Sequence, residues 1–224
     1  MFGKTKVNNL LPGFPGFAVA YDTKEKPYFV VNVLEDMNRI ASKPIGVKLL
    51  RAIATARPTV RRVSKTASQQ IQNIKFLAGV NVVITPTSMT YMQSGHKMGY
   101  TGVGMEMAMQ PSAHKLHNID GCTFYPTGGC SAEAGDIMAA GVLGQGSVSV
   151  MKYTNAQIMT AKGESTVSFI VLAHELIHCL HHVTGTRKDS GEEEWTSGIG
   201  DYADAEMTEN AFRAQFNLGA RENY

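Results

Sequence analysis

Residues 165–185 read STVSFIVLAHELIHCLHHVTG, and the rest of the chain is best read outward from them. Ser165 and Thr166 offer a helix N-cap and Gly185 a left-handed stop, so the stretch predicts a helix of about five turns. Phe169, Leu172, Leu176, Cys179 and Val183 share one face of it. His174 and His178 share the opposite side, four residues and therefore one turn apart. Together with Glu175 they spell HExxH, as His174-Glu175-Leu176-Ile177-His178. Two imidazoles one turn apart can both reach one Zn²⁺ at about 2.0–2.1 Å. Glu175 then stands beside a water whose proton the ion loosens, and it can take that proton. HExxH also arises by chance in unrelated helices. Here it lies on a helix with an otherwise apolar face, where a carboxylate and two imidazoles without a metal would be costly to bury. Four of the seven histidines also crowd into residues 174–182. The residues therefore point to a zinc site with His174 and His178 as metal ligands and Glu175 as the catalytic base.

The third ligand decides the subclass. The pattern HExxHxxGxxH would need glycine and histidine where this chain has His181 and Thr184, so it is absent. Asp189 is possible but lies just past the helix end. His182 is two turns from His174, too far to share one ion comfortably. What remains is a glutamate further on, in SGEEEWTSGIGDYADAEMTENAFRAQF (residues 190–216). The residues leave Glu193, Glu194, Glu206 and Glu209 open.

HELIH, then EEEWTSGIG (residues 192–200), then TENAFRAQFNLGARENY (residues 208–224) resemble the NleD-like zinc metallopeptidase family of type III secreted effectors. RIASKPIGVKLLRAI (residues 39–53) is similar to that family's N-terminal helices. HELIH followed by paired glutamates also resembles the clostridial neurotoxin light chains, where the third zinc ligand is the second glutamate of an EEL motif. Carried over, that ligand is Glu194, which precedes Trp195, with Glu193 as an alternative. The family's EN-x-x-R element falls on Glu209, Asn210 and Arg213. Glu209 becomes either a partner behind a zinc histidine or an alternative ligand, and both roles suit a carboxylate. Arg213 and Tyr202 become candidate transition-state stabilisers. The chain departs from the family's usual Gly-x-Pro-x-Arg ending with Asn217-Leu218-Gly219-Ala220-Arg221. The resemblance implies a zinc-dependent endopeptidase, gluzincin-like, that is exported by a type III system and acts in the host cell cytosol. Its expected substrate is a host signalling protein, MAP kinases by resemblance. A secretion chaperone is an expected partner, and the protein is expected to act as a monomer.

The 224 residues are 43% hydrophobic and 18% charged, a globular composition. No stretch approaches the roughly 20 apolar residues of a membrane span. The N-terminus lacks the apolar core of a signal peptide. Cys122, Cys130 and Cys179 are too few for a disulfide framework and read as reduced thiols. Charge is uneven: +9 over residues 1–75, −2 over 76–184 and −5 over 185–224. The basic front suits an acidic partner or a solvated face; with no accompanying motif, nucleic acid is not expected.

Along the chain, residues 1–30 carry Pro12, Gly13, Pro15, Gly16 and Pro27 and read as an irregular arm suited to secretion. Helices are expected over 30–42 and over 45–56, the second with Val47, Leu50, Ile53 and Ala54 at helical spacing. VNVVITP (residues 80–86) reads as a strand and SVSVMKY (residues 147–153) as an edge strand beside the site. Residues 95–146 hold 11 of the 22 glycines and should be loop-rich. The expected fold is α+β: a zincin-like single domain over 31–224, with an HExxH active-site helix, a small sheet and glycine-rich loops, behind a flexible arm over 1–30.

Overall fold

In FVVNVLEDMNRIA the residues Phe29, Val33, Met37 and Ile40 recur every three or four positions, and the first helix, α1 (Phe29–Ala41), buries that stripe. Pro44 opens α2 (Pro44–Thr55) at the position where its missing N–H costs nothing. The face α2 buries is Ile45, Gly46, Leu49, Leu50 and Ile53. The expected stripe through Val47 is therefore rotated: Val47 is 47% exposed, because the corner after α1 turns Ile45 and Leu49 inward instead. Gly46 lies at that corner, where a Cβ would sit 1.9 Å from the Ile40 carbonyl oxygen. Gly46→Ala is accordingly expected to cost about 1–3 kcal/mol by overpacking and to lower the melting temperature by about 2–12 °C. An unchanged melting curve would show that the corner opens freely.

The computed structural model describes residues 7–21, 28–61, 76–86, 132–133, 146–153, 158–159, 165–188 and 190–222. Within them a five-stranded sheet runs in the order β1-β2-β3-β5-β4. Its members are β1 (Val7–Leu10), β2 (Phe17–Ala20), β3 (Val82–Pro86), β4 (Ala132–Glu133) and β5 (Ser149–Tyr153). The inner pairs β2–β3 and β3–β5 are parallel, and the outer pairs β1–β2 and β4–β5 are antiparallel. A separate two-stranded ribbon joins β6 (Ile158–Met159) to β7 (Ser165–Thr166). The remaining elements are α3 (Ser168–Thr184), α4 (Glu192–Ser197), a 3₁₀ turn (Gly200–Tyr202) and α5 (Glu209–Gln215).

Phe17, Val19, Val82, Ile84 and Met151 join α1, α2 and α3 in one apolar core. The alternate residues Ala18, Ala20, Val83 and Val150 are buried as well. Strands buried on both faces read as continuous apolar runs, which is why VNVVITP was legible as a strand without alternation. Tyr153 donates a hydrogen bond to Asp36 and so pins β5 to α1. Ser147 N–H donates to the His182 carbonyl at 2.9 Å, tying the start of that strand to the end of α3.

Three expectations change here. Residues 7–20 are not an irregular arm: they fold into β1 and β2, and β2 lies inside the sheet with Phe17, Ala18, Val19 and Ala20 buried. The prolines and glycines of that segment make the turn between the two strands, not disorder. SVSVMKY is not an edge strand, since β3 and β4 flank it. Ser165 and Thr166 do not cap α3; they pair in the ribbon, and Val167 is the N-cap. Gly185 does stop the helix, with φ 68°. Of the glycine-rich segment only Ala132, Glu133 and Gly146 fall among the described residues, and Cys122, Cys130 and Asp189 lie outside them. Among the described residues no helix is long and apolar enough to cross a membrane.

Candidate metal centre

The helix α3 packs against α1, α2, α5 and β5, so it is buried nearly all round and not on one face alone. That places His174 and His178 inside the protein, 7% and 3% exposed. Their Nε2 atoms lie 3.2 Å apart. After Gly185 the chain reverses, and α4 brings a glutamate back to them. The glutamate is Glu193: its Oε2 lies 3.2 Å from His178 Nε2 and 3.4 Å from His174 Nε2. Glu194, the ligand carried over from the resemblance, is on the outer side of α4 and exposed. The displacement by one position is a matter of helical phase. Consecutive residues on α4 point about 100° apart, and in this phase only Glu193 reaches both Nε2 atoms. Glu206 is remote from the cluster: it is exposed and pairs with Lys48 on α2.

Each histidine uses its other ring nitrogen for a carboxylate behind it. Glu209, at the start of α5, takes the Nδ1–H of His174 at 2.9 Å. Thr208 caps this helix by accepting from Ala211 N–H at 3.1 Å, and the cap fixes where Glu209 stands. Glu209 is 2% exposed and is held on both oxygens: Arg213 Nε donates to Oε1 at 2.6 Å and Arg221 Nη1 to Oε2 at 2.9 Å. Arg213 braces Glu209, and its Nη1 donates to the Gly219 carbonyl at 3.2 Å. Arg221 arrives from the C-terminal tail, which Asn210 clamps. Asn210 Oδ1 accepts the Arg221 N–H at 2.7 Å, and its Nδ2 donates to the Arg221 carbonyl at 2.9 Å. Sequence reasoning passed over Arg221 because the ending departs from the family pattern; an arginine spaced twelve residues after Glu209 was the available signal. Glu192 sits behind His178, accepting its Nδ1–H at 2.9 Å. Glu192 is 7% exposed. Tyr202 lies to the side, its hydroxyl accepting from Lys188 Nζ at 2.9 Å.

The electrostatics follow this geometry. Burial alone would favour neutral imidazoles, but the carboxylates outweigh it, and the pKa values of His174 and His178 lie above 6.5. Burial works against the carboxylates too, yet the histidines hold Glu192 and Glu193 below 4.5. For Glu209 the same opposition is decided by His174, Arg221 and Arg213, again downward. Glu175 is buried at 9% exposure. One turn on, burial pushes the Cys179 thiol up, and the charge of Glu175 adds to that.

Four donors placed tetrahedrally at about 2.05 Å from a zinc ion would lie about 3.3 Å from one another. The three atoms of His174, His178 and Glu193 are 3.2, 3.2 and 3.4 Å apart, so they fit as one face of that tetrahedron. Among the described residues no further His, Cys, Asp or Glu atom joins this group.

No curated protein matches the sequence. Among solved structures, the botulinum neurotoxin type D light chain is similar at 15% identity with a TM-score of 0.46. The superposition covers 91% of this chain and 57% of the light chain, so this chain spans little more than half of that protein's length. A family model, Peptidase_M91, described as "Effector protein", matches residues 18–206. That match runs from β2 to the turn before α5 and takes in His174, His178, Glu192 and Glu193, and the chain belongs to the Peptidase_M91 family of effector proteins.

Proposed function

We propose that this protein is a zinc-dependent endopeptidase with a zincin-like, gluzincin-type site. His174, His178 and Glu193 hold the metal and Glu175 is the general base. The observation that carries the reading is the spacing of three converging donor atoms on α3 and α4, which suits tetrahedral zinc. With three protein ligands, one coordination position is left for water and substrate, the arrangement of a catalytic rather than a structural site. Zinc supplies a Lewis acid there, polarising a peptide carbonyl and making water a better acid. Glu175 takes the proton from the attacking water and passes it to the leaving amine. Glu209 and Glu192 hold the two imidazoles in the tautomer that turns Nε2 forward. Arg213 and Arg221 keep Glu209 charged and still. Tyr202 is the candidate oxyanion donor: its oxygen accepts from Lys188 Nζ, and its own O–H remains available to donate.

The first test is metal content. The purified protein should carry one zinc per chain, lost in His174→Ala. Absence of zinc from wild-type protein at neutral pH would end the reading. Binding should also depend on pH in a set direction. Imidazoles must be neutral to ligate, and in the metal-free protein both are raised above 6.5. Zinc affinity should therefore climb as pH rises from 6.5 through those raised values. Stability of the metal-free protein runs the other way. The stabilisation from a raised histidine is complete below 6.5 and fades as pH rises through its folded value. The depressed Glu193 contributes above 4.5 and loses its share in acid. Titrating zinc affinity from about pH 6 to 8 checks the sign; a flat profile would contradict it.

The proposed substrate is a host protein, with MAP kinases first by family resemblance, reached in the host cytosol after type III export. The basic front segment favours an acidic or phosphorylated partner. An export signal in residues 1–30 has to be tested by changes that spare Phe17–Ala20, since β2 belongs to the core. A cleavage-site survey of host lysate, comparing wild type with Glu175→Gln, identifies the target. Host-cell phenotypes that survive Glu175→Gln would instead favour a non-catalytic binder.

A further inference from the structure

Resting on the reading of His174, His178 and Glu193 as a zinc site, we propose that His181 is a positioning residue that acts through Glu192 to fix the ring of His178. Glu192 Oε1 accepts two imidazole N–H groups at once, Nδ1 of His178 at 2.9 Å and Nδ1 of His181 at 2.7 Å. Its other oxygen, Oε2, accepts the Lys188 backbone N–H at 2.9 Å. All three side chains are buried, with His178 and His181 at 3% and Glu192 at 7% exposure. Thr196 Oγ1 approaches His178 Nδ1 as well, but at 3.3 Å, so Glu192 is the nearer partner.

His178, His181 and Glu192 do not have the spacing of a second metal site. Their contacts of 2.7 and 2.9 Å are hydrogen-bond lengths, whereas the neighbouring triangle has edges of 3.2–3.4 Å. One ring serves both arrangements: His178 gives Nε2 to the triangle and Nδ1–H to Glu192. Glu192 also precedes Glu193 on α4. The same carboxylate therefore ties the helix that carries two ligands to the helix that carries the third. His181 is the residue that keeps Glu192 in that place. Its ring lies flat on Trp195, with centroids 3.7 Å apart and planes 11° from parallel. Lys188 Nζ stands 4.9 Å from the Trp195 ring centre and 4.4 Å from that of Tyr202, so the connection between α3 and α4 closes as one stack. Without the His181 N–H, a buried carboxylate oxygen loses its shortest donor and Glu192 is free to shift away from His178.

The test uses the full chain. His181→Phe keeps a flat ring on Trp195 and deletes only the N–H. It should weaken Zn²⁺ binding, measured by competition with a chelator, by about 10–100-fold. The visible spectrum of the Co²⁺-substituted protein should change as well, since it reports ligand geometry and is insensitive to remote packing. His181→Gln, which retains an N–H donor, should recover part of both. Glu192→Gln should weaken binding at least as much as His181→Phe, and the double variant should be no worse than Glu192→Gln, because His181 acts on the site only through the Glu192–His178 contact. A His181→Phe protein with zinc affinity within twofold of wild type and an unchanged cobalt spectrum would overturn the proposal, as would effects that multiply in the double variant. If His181→Phe does not fold, His181→Gln and Glu192→Gln decide it by the same readouts, with unchanged affinity and spectrum in both overturning the proposal. Failure of wild type to bind Zn²⁺ would overturn the underlying reading, and the positioning role with it.

Discussion

Glu175→Gln is expected to lower kcat by about 10²–10⁴-fold, the contribution of a positioned general base. Glutamine matches glutamate in shape, so the buried site on α3 need not rearrange. What it lacks is the capacity to take a proton from water and return it to the leaving amine. Zinc content and melting temperature should stay at the wild-type level, which separates a lost base from a lost fold. The measurement is cleavage of a host substrate, once identified, with metal analysis of the same preparation. Full activity in the zinc-loaded variant would remove Glu175 from the mechanism.

The second large effect concerns the third ligand. Glu193→Ala should reduce zinc affinity by more than the roughly 10–100-fold that a residue behind the ligands costs, because it deletes a donor atom from the triangle. Peptidase activity should go with it. Glu194→Ala, one position on, should leave both unchanged, since Glu194 is on the exposed side of α4. Isothermal titration of zinc into the two metal-free variants makes the comparison direct. The reverse pattern, with Glu194 essential and Glu193 dispensable, would restore the ligand implied by the resemblance.

Much of the molecule could be read from residue order because the interactions concerned are local. The HExxH spacing puts two imidazoles one turn apart on any helix, and the apolar residues around it require that helix to be buried. Proline at 44 and glycine at 185 mark helix boundaries through φ preferences that act within a few residues. The run Val82–Pro86 is strand-like because β-branched side chains buried on both faces leave little choice. Where local signals compete, the reading failed. Pro12, Gly13, Pro15 and Gly16 make a turn as readily as a disordered arm, and only the pairing of Phe17–Ile84 neighbours selects the turn: Phe17 with Val82, Ala18 with Val83, Val19 with Ile84. Val47 and Ile45 are equally apolar, so the phase of α2 waits on the close approach of Gly46 to Ile40.

The sequence alone placed His174, Glu175 and His178 within one turn of a single helix, since HExxH spacing is local. Tertiary structure decided which carboxylate does what. Glu192, Glu193 and Glu194 are chemically identical neighbours. Their roles diverge because α4 meets α3 in one phase: Glu193 toward both Nε2 atoms, Glu192 toward Nδ1 of His178, Glu194 toward water. The assignment of Glu209, Arg213 and Arg221 to His174 likewise rests on contacts between residues up to 47 positions apart, such as His174 and Arg221 meeting on one oxygen of Glu209. A residue's type and spacing fix what it is able to do. Which partner it meets depends on the packing of helices whose relative phase no local pattern carries.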